Sequence, residues 1–319
     1  MDSAAADEAR ALVETAGVKA LDDLVVLRAT GDDVRSWLNG QVTQDVRTTE
    51  PGQATYALVV TVKGRIITDV WAHDDRQSSS DKDSFSLVVP RIALEPLSAQ
   101  LDKMIIMEDV ELERADARVL TVQGPRAVEV IETGLEAASR EGVWTCDRLG
   151  AGGRDVVVGT DAVESTLERL VAAAKRIGGF AVSDEGWELA RLRRAVPKLG
   201  PDFGDRTYPQ ETGLDARAVS FTKGCYIGQE VVCMLEARGQ VTRRLVQLRV
   251  EGASAPPQGV KIHADDDEGA EVGSITSSAL DPESNDAVAL AYVKRKLAER
   301  GQRVRVEAAG AIIESIVGA

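Results

Sequence analysis

Residues 223–230 read Lys-Gly-Cys-Tyr-Ile-Gly-Gln-Glu, which sets a thiol two positions from a cation in backbone relieved by two glycines. The thiolate is the form that attacks or ligates, and a neighbouring ammonium or the start of a helix favours it. Cys225 is therefore the candidate reactive group and Lys223 its candidate activating cation. Gly224 and Gly228 allow torsions, or close approach to a ligand, that a side chain would forbid, while Gln229 and Glu230 add polar handles. The competing reading is that Cys225 only fills a turn, since most free cysteines behave as small hydrophobes.

Other chemistry-bearing residues are sparse. Cys146, Cys225 and Cys233 are too few and too scattered for a disulfide framework, which suits a reducing compartment. Cys233, eight positions from Cys225, reads as a core or helix-face residue rather than a resolving thiol, and two cysteines do not make the usual four-ligand iron-sulfur set. His73 and His263 lie in loop-like contexts without a triad or metal spacing, so neither is given a role and no metal is expected. Arg191, Arg193 and Arg194 read as the solvated face of a helix, with an anion site as the less favoured alternative.

These groups must be positioned by a chain of 319 residues, enough for two domains or three small ones. With 44% hydrophobic and 28% charged residues the composition is that of a soluble globular protein, and four each of Phe, Trp and Tyr leave aliphatic side chains to build the core. The net charge of −14 opposes phosphate backbones and anionic lipid at long range, so neither nucleic acid nor membrane is expected as a partner. The first residues lack the basic start and apolar run of a secretion signal, and no apolar stretch approaches the roughly 20 residues that cross a bilayer. A cytoplasmic protein is expected.

Along the chain, Asp32 or Asp33 is placed to cap a helix through Trp37 that ends at Gly40, and residues 54–72 read as two strands meeting at Lys63-Gly64. A strand over 84–89, a helix over 90–104 and a strand over 110–113 follow, with a polar, Ser-rich loop over 76–83. A second cycle has strands at 119–122 and 156–158 and helices near 125–131, 163–177 and 184–196. This irregular order argues for α+β rather than a doubly wound parallel sheet. A helix over 231–237 ends at Gly239, and residues 241–319 look like a small β-rich domain. A helix over about 287–300 interrupts that domain, although Ala289, Tyr292 and Val293 also suit the start of a strand. The expected division is 1–115, 116–240 and 241–319, the first two parts interleaved.

The octet, with Pro209-Gln210-Glu211-Thr212-Gly213-Leu214, Ser220-Phe221-Thr222, Leu38-Asn39-Gly40-Gln41-Val42-Thr43-Gln44-Asp45, the hairpin around Lys63-Gly64-Arg65 and Arg238-Gly239, resembles the YgfZ-type folate-binding proteins. These are relatives of the glycine-cleavage T-protein, an aminomethyltransferase. The resemblance implies three lobes around a central opening for tetrahydrofolate, with a ferredoxin-like lobe and a C-terminal β-barrel. It also implies a role in the assembly or repair of iron-sulfur enzymes that depends on the octet cysteine, here Cys225.

Site roles follow from the same resemblance. Glu211 stands where the T-protein has a carboxylate that pairs with the pterin amide edge, although an acid there suits a helix start equally well. Asp69 falls where the T-protein has paired acids, the first of which is Thr68 here, and an acid near the folate nitrogen would bind or move a proton. Arg238 would attract the folate glutamate tail, Tyr56 or Tyr226 would pack on flat rings, and Gln229 would add a polar contact. Met234 departs from the arginine that relatives often carry. Two functions remain open: a tetrahydrofolate-binding accessory of iron-sulfur proteins acting through Cys225, or a one-carbon transferase of aminomethyl type. A folate-sequestering scaffold with an inert thiol is the third and plainest.

Overall fold

The computed structural model describes residues 3–76, 83–239, 241–266 and 269–319; the centre of the expected polar loop, 77–82, lies outside them. Two five-stranded sheets and a closed six-stranded barrel make up the β structure, with helices between and around them.

The first sheet is antiparallel throughout, in the order Ala54–Val60, Ile66–Asp74, Ser84–Pro90, Leu24–Thr30, Glu111–Arg114. One face carries Val25, Leu27, Ala29, Val70, Ala72 and Leu87 under the helices Val34–Gln41 and Leu94–Leu101. The other face carries Val26, Trp71 and Val88, which pack against Val119 of the second sheet and Cys146 just beyond its last strand. Side chains alternate along a strand, so a strand covered on both sides sorts its residues into two sets by parity. Asp33 occupies the cap position of the first helix as expected, but its carboxylate accepts from the Asp109 amide at 2.9 Å instead of from the helix.

The second sheet runs Phe180–Ala181, Gly17–Ala20, Ala117–Gln123, Gly153–Gly159, Val143–Thr145. Residues from the start of the chain thus complete a sheet built mostly from residues beyond 116. Its outer face is covered by Ala127–Gly134 and Val163–Arg176 through Leu120, Val122, Val130, Ile131, Leu170 and Ala174.

The barrel closes in the order Arg243–Val250, Asp286–Lys294, Glu271–Asp281, Lys261–Ala264, Arg303–Val306, Ala309–Ile316. The helix expected over 287–300 is instead the strand Asp286–Lys294, followed by a single 3-10 turn. Ala287, Ala289, Ala291 and Val293 point into the barrel, while Leu290 and Tyr292 pack outward with Leu192, Leu245 and Val317. Apolar residues on both faces erase the period-two signature, and short alanines imitate a helix former.

The helix Asp184–Arg193 ties the barrel to the rest of the chain, and of the three arginines expected on a solvated face only Arg194 is exposed. Arg191 is buried and donates to Asp202 at 2.8 Å, and Arg193 donates to Asp281 at 2.8 Å through Nε. Asp202, itself buried, also accepts from Thr276 (2.5 Å) and Ser277 (2.6 Å) of the barrel. The end of the short helix Pro209–Thr212 approaches the barrel at one further point. Gly213 has φ +72°, and a Cβ there would lie 1.9 Å from the Val317 carbonyl at the end of the barrel. Gly213→Ala should therefore lower the unfolding free energy by at least about 2 kcal/mol. Urea titration checks this, and an unchanged midpoint would mean that the two backbones do not meet there.

Candidate functional site

A cavity of about 1220 Å³ opens where the two sheets, the helix Asp184–Arg193 and the end of the barrel converge. Its aromatic wall comes from adjacent strands. Tyr56 and Trp71 are cross-strand partners with ring centroids 4.8 Å apart, and Arg217 lies over both at 5.0 and 5.1 Å. Asp69 is two residues before Trp71 and shares its face. The Asp69 Oδ2 accepts from the Tyr56 hydroxyl at 3.1 Å, while Oδ1 is covered and has no hydrogen-bond partner. Burial raises the Asp69 carboxyl above the ordinary carboxylate range, and the Tyr56 hydrogen bond and Arg148 oppose this only in part.

Arg148 forms the floor. Its side chain is 10% exposed, and it donates to both oxygens of the fully buried Asp155, through Nε at 3.0 Å and Nη2 at 2.6 Å. Burial alone would favour the neutral forms, but the fork more than offsets it and keeps both groups charged. His73 continues the Asp69–Trp71 parity inward: it is buried in a strand, stacks on Trp144 at 4.9 Å and brings Nε2 to 3.3 Å from Asp155. The expectation of a loop histidine is thus corrected, and His263 also lies in a strand. The ligand atoms of His73, Cys146 and Asp155 lie within 4.8 Å of one another. A divalent ion there would face the guanidinium already bound to Asp155, so the group reads as a buried ion-pair network rather than a metal centre.

Two further arginines line the cavity with backbone partners instead of acids. Arg194 donates to the carbonyls of Leu149 and Gly150, each at 2.9 Å, and Arg217 donates to that of Asp147. The cavity therefore combines an aromatic wall, one acid of raised affinity for protons, and cations whose charge is solvated by carbonyls.

Residues 1–143 match the GCVT N-terminal domain, and residues 243–317 match the glycine cleavage T-protein C-terminal barrel domain. The chain belongs to the glycine cleavage T-protein family. An aminomethyltransferase of Nostoc sp. is 28% identical, covering 97% of this chain and 85% of its own length. A tRNA-modifying protein YgfZ of Aliivibrio fischeri is 27% identical, covering 89% and 87%. The crystal structure of glycine cleavage system aminomethyltransferase T from Bartonella henselae has the same fold, with a TM-score of 0.83 at 18% identity over 99% of this chain and 89% of that one. Both kinds of relative stand at nearly the same identity, so the comparisons give the family and its mixed α+β fold without separating its roles.

Of the residues singled out from the sequence, the fold brings Tyr56 and Asp69 together in the cavity. Glu211 does not line it. Its carboxylate accepts from the Tyr208 amide at 3.0 Å, at the start of the short helix Pro209–Thr212, and from Arg243 Nε at 3.1 Å. The family octet also packs elsewhere. Lys223 is buried, and its ammonium donates to the carbonyls of Asn39 (2.6 Å), Val42 (2.8 Å) and Gln44 (2.8 Å). Burial lowers its pKa to about 8. Lys223 thus pins the end of the helix Val34–Gln41 and the residues that follow it, and the expected pairing with the thiol gives way to three carbonyl contacts.

Gly228, at φ +79°, passes so close to the Thr61 carbonyl that a Cβ would meet it at 2.3 Å, so the glycine serves the protein's own hairpin rather than a ligand. Tyr226 fills the core with Leu58, Val60 and Leu214. Gln229 opens and Arg238 closes the helix Gln229–Arg238, both away from the cavity lining. Cys225 is exposed and does not line the cavity either.

The sequence reading missed Trp71, Arg148 and Arg217. Parity with Asp69 on a doubly covered strand would have found Trp71; the arginines carry no local signal.

Cys225 should alkylate rapidly at neutral pH while Cys146, fully buried with its thiol pushed well up by burial, reacts only on unfolding. Mass spectrometry of the folded protein reads both. Lys223→Met should cost at least about 2 kcal/mol, because three carbonyls lose their donor, yet should not slow Cys225 alkylation. A slowed reaction would restore Lys223 as the activating cation.

Proposed function

We propose that the protein binds tetrahydrofolate in the cavity and serves as an accessory in the assembly or repair of iron-sulfur enzymes, with Cys225 as its working group. The observation that carries the folate half is Asp69: an acid with unspent acceptor capacity against an aromatic wall. A pterin is flat and presents adjacent N–H donors on its amide edge, and a carboxylate that lacks a partner suits that edge. The wall of Tyr56 and Trp71 suits the ring face. Arg194, with no acid partner among the described residues, suits the anionic glutamate tail at the other end of the ligand, the part first given to Arg238, while Arg217 sits over the aromatic wall itself.

The position of Cys225 supports the accessory role. An exposed thiol outside the cavity lining is available to a partner protein and not to a pterin bound against Trp71. No helix among the described residues is long and apolar enough to cross a membrane. One relative is named for tRNA modification; with a charge of −14 opposing RNA, such an effect would run through an enzyme.

The second reading is a one-carbon transferase, favoured by relatives named aminomethyltransferase. Thr68 argues against it: its hydroxyl donates to the Asp69 carbonyl at 2.9 Å, and it offers no second carboxylate for a proton. Ammonia release from an aminomethyl donor with tetrahydrofolate, sustained over many turnovers, would reverse the ranking. Full rescue of iron-sulfur enzyme activity in cells by Cys225→Ala would support an inert scaffold.

Asp69→Asn should weaken tetrahydrofolate binding by about 1.5–3 kcal/mol in anaerobic calorimetry. The ionised carboxylate is the acceptor and burial raises its pKa, so wild-type affinity should fall as pH drops through that raised range. The Asn variant should lose this dependence; unchanged affinity would remove Asp69 from the site.

A further inference from the structure

Arg148 lines the cavity and is held there by a buried two-point fork. Two of its three nitrogens, Nε and Nη2, are committed to Asp155. Asp155 has no exposed surface and is backed by His73 at 3.3 Å, so the guanidinium plane has little freedom to swing. The third nitrogen, Nη1, has no hydrogen-bond partner among the described residues, and Arg148 lines the cavity. The guanidinium carbon lies 5.4 Å from the Trp71 ring centroid, beside the strand that carries Asp69. A fixed donor therefore stands next to an acceptor with unspent capacity, on one aromatic wall.

That pair complements a ring edge on which an N–H adjoins a C=O. Resting on the folate reading, we propose that Arg148 donates to the 4-oxo group of the bound pteridine while Asp69 takes the neighbouring N–H, so that the cavity selects a lactam edge; Asp155 is the positioning residue. Arginine has donors only and stays protonated. A ring with an amino group at that position would set donor against donor, and an unpaired buried donor is what gives polar sites their large discrimination.

The test uses the full chain and two probes that differ at the lactam edge, where C4=O and N3–H become C4–NH2 and a bare N3: tetrahydrofolate and its 4-amino-4-deoxy analogue, in anaerobic calorimetry. The wild type should prefer the oxo ligand by roughly 10- to 100-fold. Asp155→Asn, which frees the fork, should bring the ratio towards parity; a loss of folding would weaken both ligands alike and leave the ratio unmoved. Arg148→Lys keeps the charge without the fork and should also lower the ratio, whether or not the Asp155 variant folds. Equal wild-type affinities, or preference for the amino ligand, overturns the proposal while leaving folate binding intact. A ratio unchanged in both variants, with folding shown intact by their circular dichroism, overturns the assignment to Arg148 and Asp155. Failure of both ligands to bind sinks the folate reading and this one with it.

Discussion

The site depends on a strand that is covered on both sides. Ile66–Asp74 lies between the helices of the first lobe and the second sheet, so Val70 and Ala72 go to one core and Trp71 to the other. Strand geometry leaves no third direction. Asp69, Trp71 and His73 must therefore share a face, and the same row runs from the cavity lining to a sealed interior. Asp69 meets the cavity, Trp71 forms its wall, and His73 ends against Asp155 with no exposed surface. A one-residue slip in register would bury the acid under the helices and send alanine and valine into the cavity.

The second element is the Arg148–Asp155 fork between the sheets. Removing one partner of a buried pair costs roughly 3–5 kcal/mol, because the survivor keeps its charge without its counterion. The pair is thus held by the same burial that makes it expensive, and it fixes a cation where loops alone would leave it mobile. The octet shows the reverse economy of parts. Its lysine and Gly228 secure residues 39–44 and the hairpin tip, and the cysteine is left in solvent.

How much of this was legible depended on whether a signal was local. The Lys63-Gly64 turn, the cap glycine Gly239 and the strands of the first sheet follow from neighbouring residues and appear where the pattern puts them. Asp69 and Tyr56 were reachable through family resemblance. Arg148 and Arg217 were not, since each reaches the cavity from a loop or short helix far along the chain and neither stands in a pattern. The octet misled in a specific way: Gly228 was required by contact with Thr61, and a glycine needed for self-packing looks the same in sequence as one needed for a ligand. Arg191 and His73 misled for a shared reason, because a charged or titratable side chain is read as solvated until its buried partner, Asp202 or Asp155, is known. The alanine-rich strand 286–294 failed because both its faces are buried.

Asp202 has a consequence for how the molecule comes apart. One buried carboxylate takes hydrogen bonds from the helix Asp184–Arg193 through Arg191 and from the barrel through Thr276 and Ser277. Peeling the barrel away would strand that anion beside an arginine in a half-dry crevice, a state higher in energy than either the intact or the fully melted chain. Barrel and sheets should accordingly melt in one concerted transition, sharing a single enthalpy, despite being separate in architecture.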